Sequence, residues 1–304
     1  AGGVRMNEAR IGVLITCHNR RAGTLACLDA LAGQRLDDAA GLDAYLVDDG
    51  CTDGTVQAVE RRHPWVTVVH GTGELYWCGG MRLAFAEAAR GDYDYYLWLN
   101  DDTRLYPDAV WTMLTAARQV NRLHGREGII VGPVCDPDTR QQTYGGVVRV
   151  SRWRPLAFAP VEPYGRPSRC DTFNGNCVLV PCAVARAVGN VSTEFTHWFG
   201  DTDYGLRAEK AGYRSWVAGQ YVGTCRANPD GSSWADPRLP LRERIAIFRS
   251  PRGLPPREWI VFVKRHAGAL WPYCWLKVQL RLLLPGPWAA VRESLVRTAA
   301  RRAA

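Results

Sequence analysis

The chain has 304 residues, 38 Lys plus Arg against 30 Asp plus Glu, and a formal charge of +8 at pH 7. Residues 238–304 carry 14 basic and 3 acidic side chains, or +11, which leaves −3 on the remainder. That distribution excludes a nucleic-acid-binding face across the whole molecule, and a hydrophobic content of 47% excludes a disordered chain.

The ten cysteines form no C-x-x-C pair and sit within apolar runs, as at Cys177, Cys182 and Cys274. Ala1 to Arg10 lacks the apolar core of a secretory signal. Free, mostly buried thiols in a reducing cytoplasm are the expected setting. No apolar run reaches the roughly 18–20 residues that span a bilayer.

In chain order, Ile11 to Thr16 is a β-branched apolar run that reads as a buried strand. The polar stretch His18-Asn19-Arg20-Arg21 follows, then helical spacing from Leu25 to Leu31. Asp43 to Val47 reads as a second strand ending in Asp48-Asp49-Gly50. Thr52 to Arg62 reads as a helix with Thr52 or Asp53 as its N-cap. A strand at Val66 to His70, an Ala-rich helix at Gly79 to Arg90 and a strand at Tyr95 to Leu99 come next. Asn100-Asp101-Asp102 closes that strand, and Pro107 to Val120 reads as a helix. Four strand–helix alternations in about 120 residues imply βαβ units and a largely parallel sheet.

A strand at Ile129 to Val134 follows, and residues 136–176 read as an antiparallel excursion or as loops. Val178 to Val180 is a strand, Pro181 to Val188 a helix, Asp203 to Ala211 a helix and Arg214 to Val217 a strand. Near residue 240 the character changes. Pro-rich links separate segments at Arg257 to Trp271, Tyr273 to Leu284 and Trp288 to Arg302. The chain is expected to divide into a catalytic domain at 1–240 and a basic, aromatic-rich helical extension at 241–304.

Open parallel sheets bind ligands beyond the carboxyl ends of their strands. Three of the first four strands end in polar loops there, which brings two acidic pairs to one rim. Adjacent carboxylates are costly unless paired or solvated, and a divalent cation neutralises them. The plain alternative is that each pair caps the next helix. A third pair, Asp201 and Asp203, opens a helix, where its charge suits the dipole. Asp201 is assigned to chemistry as a base. Asp203 is assigned to structure, paired with Arg207 one turn later.

The run Thr16-Cys17-His18-Asn19-Arg20, then Val47-Asp48-Asp49-Gly50-Cys51-Thr52-Asp53-Gly54, then Leu99-Asn100-Asp101-Asp102, then Gly200-Asp201-Thr202-Asp203 with Arg207 and Gly212-Tyr213, resembles family 2 glycosyltransferases of the GT-A fold. The order and spacing match from residue 11 to about 235. Asn174-Gly175-Asn176 and His197 to Gly205 are most similar to bacterial rhamnosyltransferase-like members.

The resemblance implies an α/β, Rossmann-like, mostly parallel GT-A sheet with a C-terminal helical extension. It implies an inverting enzyme that moves a sugar from a UDP- or dTDP-sugar to a glycan or lipid-linked acceptor. Thr16, Asn19 and Arg20 would line the nucleotide site, and Asp49 would bond the N3–H of the base. Asp101 would face the ribose, Asp102 would ligate Mg²⁺ or Mn²⁺, and Asp201 would be the catalytic base. Gly79, Gly80 and Arg82 would lie near the donor, the glycines allowing close backbone approach and the arginine reaching phosphate. Helix packing with an exposed arginine is the alternative for that segment. Trp77, His197 and Trp198 are expected to contact the acceptor or to form pocket walls.

Two departures stand out. The D-x-D position begins with Asn100, and the place where the family often carries a metal-binding His reads Val222-Gly223-Thr224-Cys225-Arg226. A thiol is a poor match for Mg²⁺, so metal binding is weaker or Arg226 takes over phosphate charge. Tyr76 stands at the third glycine of a fingerprint that starts Gly71-Thr72-Gly73, which argues against a dinucleotide site. The rivals are a sugar-1-phosphate nucleotidyltransferase and a nucleotide-sugar or glycan-binding module with little catalysis. Cations and aromatics interleave in the tail, from Trp259, Lys264 and Trp271 to Lys277, Arg281 and Trp288. That mix implies peripheral contact with the inner face of the plasma membrane, or a homo-oligomer.

Overall fold

The computed structural model describes residues 9–36, 40–228 and 234–286. Strands and helices alternate through the first third: β1 (Ala9–Cys17), α1 (Arg21–Ala32), β2 (Ala40–Asp48), α2 (Thr55–Arg62), β3 (Val66–His70), α3 (Tyr76–Ala88) and β4 (Tyr95–Leu99). Ile11, Val13, Leu14 and Ile15 are fully buried. Both faces of β1 are therefore covered, which is why the strand reads as a continuous apolar run. Asp53 Oδ1 accepts the Thr55 N–H and its Oδ2 accepts the Arg21 N–H, so one carboxylate serves the first turns of α1 and α2. The α2 helix starts at Thr55, three residues later than expected, because Gly54 sits at φ +78.

Next come β5 (Arg104–Leu105), α4 (Ala109–His124), β6 (Ile129–Val131), β7 (Val134–Cys135), β8 (Gln142–Tyr144), β9 (Gly146–Ser151) and β10 (Arg154–Pro160). They are followed by β11 (Ser168–Cys170), β12 (Thr172–Phe173), β13 (Cys177–Pro181), α5 (Cys182–Val188), α6 (Gly200–Lys210), β14 (Ser215–Val217) and β15 (Gly223–Thr224). An eight-stranded sheet has the order β11-β14-β6-β13-β4-β1-β2-β3. The β4, β1, β2 and β3 strands run parallel, β13 runs against β4 and β6, and β14 returns parallel to β6. The register ends β1, β2 and β3 on one row, Cys17 opposite Asp48 and Asp48 opposite His70.

Residues 136–176 are the expected antiparallel excursion. A second sheet runs β5-β15-β7-β8, and β9 pairs with β12. The α4 helix buries Ala109, Val110, Met113, Leu114, Ala117 and Val120 on one stripe. It ends at Gly125 in the left-handed region, φ +64.

The chain forms two compact units, 1–150 with 158–227, and 151–157 with 228–304. In the second unit α7 (Leu241–Arg249) and α9 (Trp271–Leu283) flank a small cluster of Trp234, Phe248 and Leu282, and α8 (Pro256–His266) packs on α9. Arg244 is buried and donates to the Leu282 carbonyl at 2.7 Å. The α8 and α9 helices occupy two of the predicted segments. The third, Trp288 to Arg302, lies outside the described residues. No helix among the described residues is long and apolar enough to cross a membrane.

Candidate active site

All of the acidic pairs belong to the first unit. Arg20, at the start of α1, places Nη1 at 3.1 Å from Asp101 Oδ1 and 2.6 Å from Asp102 Oδ2. Thr24 adds a hydroxyl donor to Asp101 at 3.4 Å. Asp101 is only 6% exposed. Burial is the main force that pushes its carboxyl up to about 6; Asp102 adds to it, and Arg20 opposes it. One guanidinium therefore serves two carboxylates, and the pair keeps a net negative charge. Hard divalent cations bind through one or two carboxylates plus substrate phosphates, so this donor set fits such an ion at Asp102.

Cys225, in the segment where the sequence departs from the family pattern, places its thiol 3.5 Å from Asp102 Oδ1. Arg226 turns instead to Asp138 at 2.6 Å, with both side chains exposed. Of the two substitutes that the sequence offered, the thiol is the one on the acidic pair.

Asp49 is 4% exposed and accepts three backbone N–H groups from the loop after β3. Its Oδ1 takes Gly73 at 2.8 Å and Leu75 at 3.2 Å, and its Oδ2 takes Tyr76 at 3.0 Å. Successive amides of this kind form an anion-binding nest. Here the nest holds the chain's own carboxylate, which explains why a fingerprint-like loop does not serve a dinucleotide. Oδ2 retains acceptor capacity for a base N–H. Asn19 is tied into the same rim, its Oδ1 accepting the Thr52 N–H at 2.7 Å.

Asp201 lies in the first turn of α6. Its Oδ2 accepts the Gly175 N–H at 2.8 Å and its Oδ1 the Thr202 N–H at 2.6 Å. Burial pushes its carboxyl above the usual range, against those amides. A Cβ on Gly175 would meet the Trp77 ring and lie 3.2 Å from Asp201 Cβ, so glycine there lets indole and carboxylate come together. The Trp77 indole N–H donates to Asn100 Oδ1 at 2.8 Å. Trp77 thus connects the strand end that carries Asp101 and Asp102 with the helix that carries Asp201. His197 packs edge-on against Trp198, with ring centroids 5.0 Å apart, and against Tyr76 at 6.1 Å. Trp198 is 37% exposed. Asp203 is fully buried and pairs with Arg207 at 2.7 Å, the structural role expected of it.

Three of the expected donor contacts have packing partners within the fold. Gly79 and Gly80 are buried, and a Cβ on either would run into Leu75 or Thr16. The bare Cα of Gly80 therefore serves the packing of α3 on β1, and that of Gly79 lets Leu75 fold against the first turn of α3. Arg82 donates to the carbonyls of Ser192 and Phe195, both at 2.9 Å. It is half-buried and pins the loop that leads into α6.

Three non-glycine residues at this rim have positive φ: Asn19 at +50, Tyr76 at +52 and Phe199 at +70. Such strain persists where the surroundings over-determine it, and functional sites are where it gathers. A groove of about 340 Å³ elsewhere in the unit is lined by Gln119, His124, Arg166, Arg169 and Trp216, and by none of the predicted site residues.

Residues 12–131 match the family described as Glycosyl transferase family 2. Over 295 residues the chain is 26% identical to an N-acetylglucosaminyl-diphospho-decaprenol L-rhamnosyltransferase of Mycobacterium tuberculosis, covering 90% of this chain and 89% of that one. Among solved structures it is similar to the mannosyltransferase PcManGT from Pyrobaculum calidifontis in complex with GDP-Man and Mn²⁺. That likeness has a TM-score of 0.53 at 18% identity and covers 97% of this chain and 81% of the other. It is also similar to S. aureus TarS 1–349 in complex with UDP-GlcNAc, with a TM-score of 0.52 at 13% identity, covering 83% and 66%. Against a longer TarS chain it spans 42% of the length. These likenesses establish the GT-A fold that the motifs implied.

Proposed function

We propose that this chain, whose residues 12–131 match the family 2 glycosyltransferase model, moves a hexosyl unit from a UDP- or dTDP-sugar to a hydroxyl of a lipid-linked glycan, with inversion. The observation that carries this reading is the position of Asp201. Its carboxylate is half-buried, raised in pKa and joined through Gly175 and Trp77 to the strand end that holds Asp101 and Asp102. A desolvated carboxylate whose pKa is moved toward neutrality is poised to take a proton.

In the proposed step Asp201 removes the acceptor's hydroxyl proton as its oxygen attacks the anomeric carbon. The bond from that carbon to the diphosphate oxygen breaks on the opposite face, and the configuration inverts. Asp102 would hold Mg²⁺ or Mn²⁺, which offsets the charge developing on the departing diphosphate. Arg20 keeps the acidic pair together before the donor arrives. Asp49 and Asn19 hold the loops that frame the base, and Tyr76, His197 and Trp198 form the acceptor wall. The lipid-linked acceptor, and with it a place in cell-wall polysaccharide synthesis, is supported by the name of the mycobacterial relative.

The extension at 241–304 serves association in this reading. Tyr273, Leu276, Leu280 and Leu283 are exposed along α9, beside Lys277 and Arg281. An apolar face flanked by cations suits the headgroup boundary of an anionic membrane on the cytoplasmic side.

The test is release of nucleoside diphosphate and transfer to acceptor, with Mn²⁺ and with chelator. Asp201→Asn should lower kcat by roughly 10²- to 10⁴-fold while the thermal shift given by UDP persists. Near-normal transfer by Asp201→Asn would reject the base assignment.

A further inference from the structure

A second group of metal-ligating side chains lies at the ends of β1, β2 and β3 and has no part in the proposed transfer. Cys17, Asp48 and His70 are the last residues of these three strands and share one register row. Cys51 comes back over them from the turn after β2. Its Sγ lies 3.7 Å from Cys17 Sγ. A ligand atom from each of Cys17, Asp48 and Cys51 falls within 4.8 Å of the others. The His70 Nδ1 is 3.4 Å from Asp48 Oδ2.

We propose that Cys17, Cys51 and Asp48 form a site for a soft divalent cation of the zinc class, separate from the hard-cation site at Asp102, and that the exposed His70 turns from Asp48 into the fourth position. The sulfur separation supports this. Two thiolates about 2.3 Å from one tetrahedral ion stand about 3.8 Å apart, whereas a disulfide requires about 2.0 Å. The donor set is two sulfurs, one carboxylate and one imidazole, which soft and borderline ions prefer and Mg²⁺ does not.

The surroundings are already arranged as an outer shell. The Asn19 N–H points at Cys51 Sγ at 3.2 Å, and the Cys51 N–H holds Asp48 Oδ1 at 2.8 Å. Asp48 Oδ2 is thereby left facing His70. Outer hydrogen bonds of this kind orient ligands and tune the ion. Cys17 is 3% exposed and Cys51 half-buried, while His70 stands at the surface as the entry side. In the metal-free protein Cys17 and Cys51 are both free cysteines. Loading therefore forms two metal–sulfur bonds and releases two protons to solvent, with no oxidant involved.

The probe is Co²⁺, added to the full-length protein freed of metal and kept reduced with a phosphine. One equivalent should produce a sulfur-to-cobalt charge-transfer band and the strong visible absorption of a tetrahedral ion, both bleached by Zn²⁺. Cys51→Ser and Cys17→Ser should abolish the charge-transfer band, and Cys225→Ser should leave it intact. His70→Ala, a surface change that spares folding, should weaken Co²⁺ binding at least about tenfold. The proposal is overturned if no charge-transfer band forms. It is equally overturned if the band survives Cys51→Ser and disappears in Cys225→Ser, which would put the ion at Asp102. Loss of two free thiols on mild oxidation, in a protein that takes up no Co²⁺ when reduced, would make the pair a disulfide site instead.

Discussion

Replacing Asp101 by asparagine isolates the electrostatic strain of the acidic rim. Burial lifts this carboxyl from 3.8 to about 6 in the folded chain. Unfolding returns it to water and to its ordinary value. A group whose folded pKa is raised stabilises the fold fully below its unfolded pKa and loses that contribution as pH rises through the folded pKa. The window therefore runs from about pH 4 to pH 6. At roughly 1.4 kcal/mol per pH unit, the wild type should lose about 3 kcal/mol across it. Asp101→Asn has nothing to titrate there and should lose none of this. Other carboxylates, Asp201 included, titrate in both proteins and cancel in the difference. Urea melts of both proteins at pH 4.5, 5.5, 6.5 and 7.5 would measure it. The stability of Asp101→Asn relative to wild type should climb by about 2 kcal/mol from the lowest to the highest pH, the part of the full shift that lies above about pH 4.5. A difference that stays flat, or falls, would show that Asp101 is not a desolvated carboxylate and that the rim carries no uncompensated charge.

Four other changes test neighbouring parts of the site. Arg82→Ala removes two bonds to the carbonyls of Ser192 and Phe195. It should cost about 2–3 kcal/mol, roughly 4–6 °C in Tm for a chain of this size, and leave the donor KM unchanged. A raised donor KM without destabilisation would restore the phosphate role. Gly80→Ala drives a methyl into Thr16 and should cost about 1–3 kcal/mol in urea melts; a neutral result would mean that α3 has room to move off β1. Asp203→Asn and Asp201→Asn should separate cleanly. The first breaks a buried ion pair with Arg207, costs about 3 kcal/mol and spares kcat in the folded fraction. The second changes kcat far more than stability, and the reverse pattern would exchange the two assignments.

The strand ends that carry the site were legible because each is a short apolar run stopped by a polar doublet. Asp48-Asp49 and Asp101-Asp102 announce themselves in that way. The Asp203–Arg207 pair was legible because a helix fixes the distance between residues four apart. The roles of Arg82 and Cys225 were not. Their partners lie 110 and 123 residues away in the chain, and nothing local in the sequence distinguishes a cation bound to carbonyls from one bound to phosphate. Gly79 and Gly80 were ambiguous for a related reason. A missing Cβ admits any close neighbour, and here the neighbours are Leu75 and Thr16 rather than a donor. The excursion at 136–176 was unreadable in detail because its strands are short and pair out of sequence, β9 with β12.

The loop from Gly73 to Tyr76 bears on ancestry. Its three amides converge on the oxygens of Asp49 as they would on those of a phosphoryl group. A lineage could pass between reading a nucleobase beside this carboxylate and gripping a phosphate in its place by losing one side chain, with the backbone unchanged. Asp49→Gly recreates that step in the laboratory. Acquisition of inorganic phosphate affinity by the variant would place the two kinds of nucleotide recognition one mutation apart on a shared scaffold.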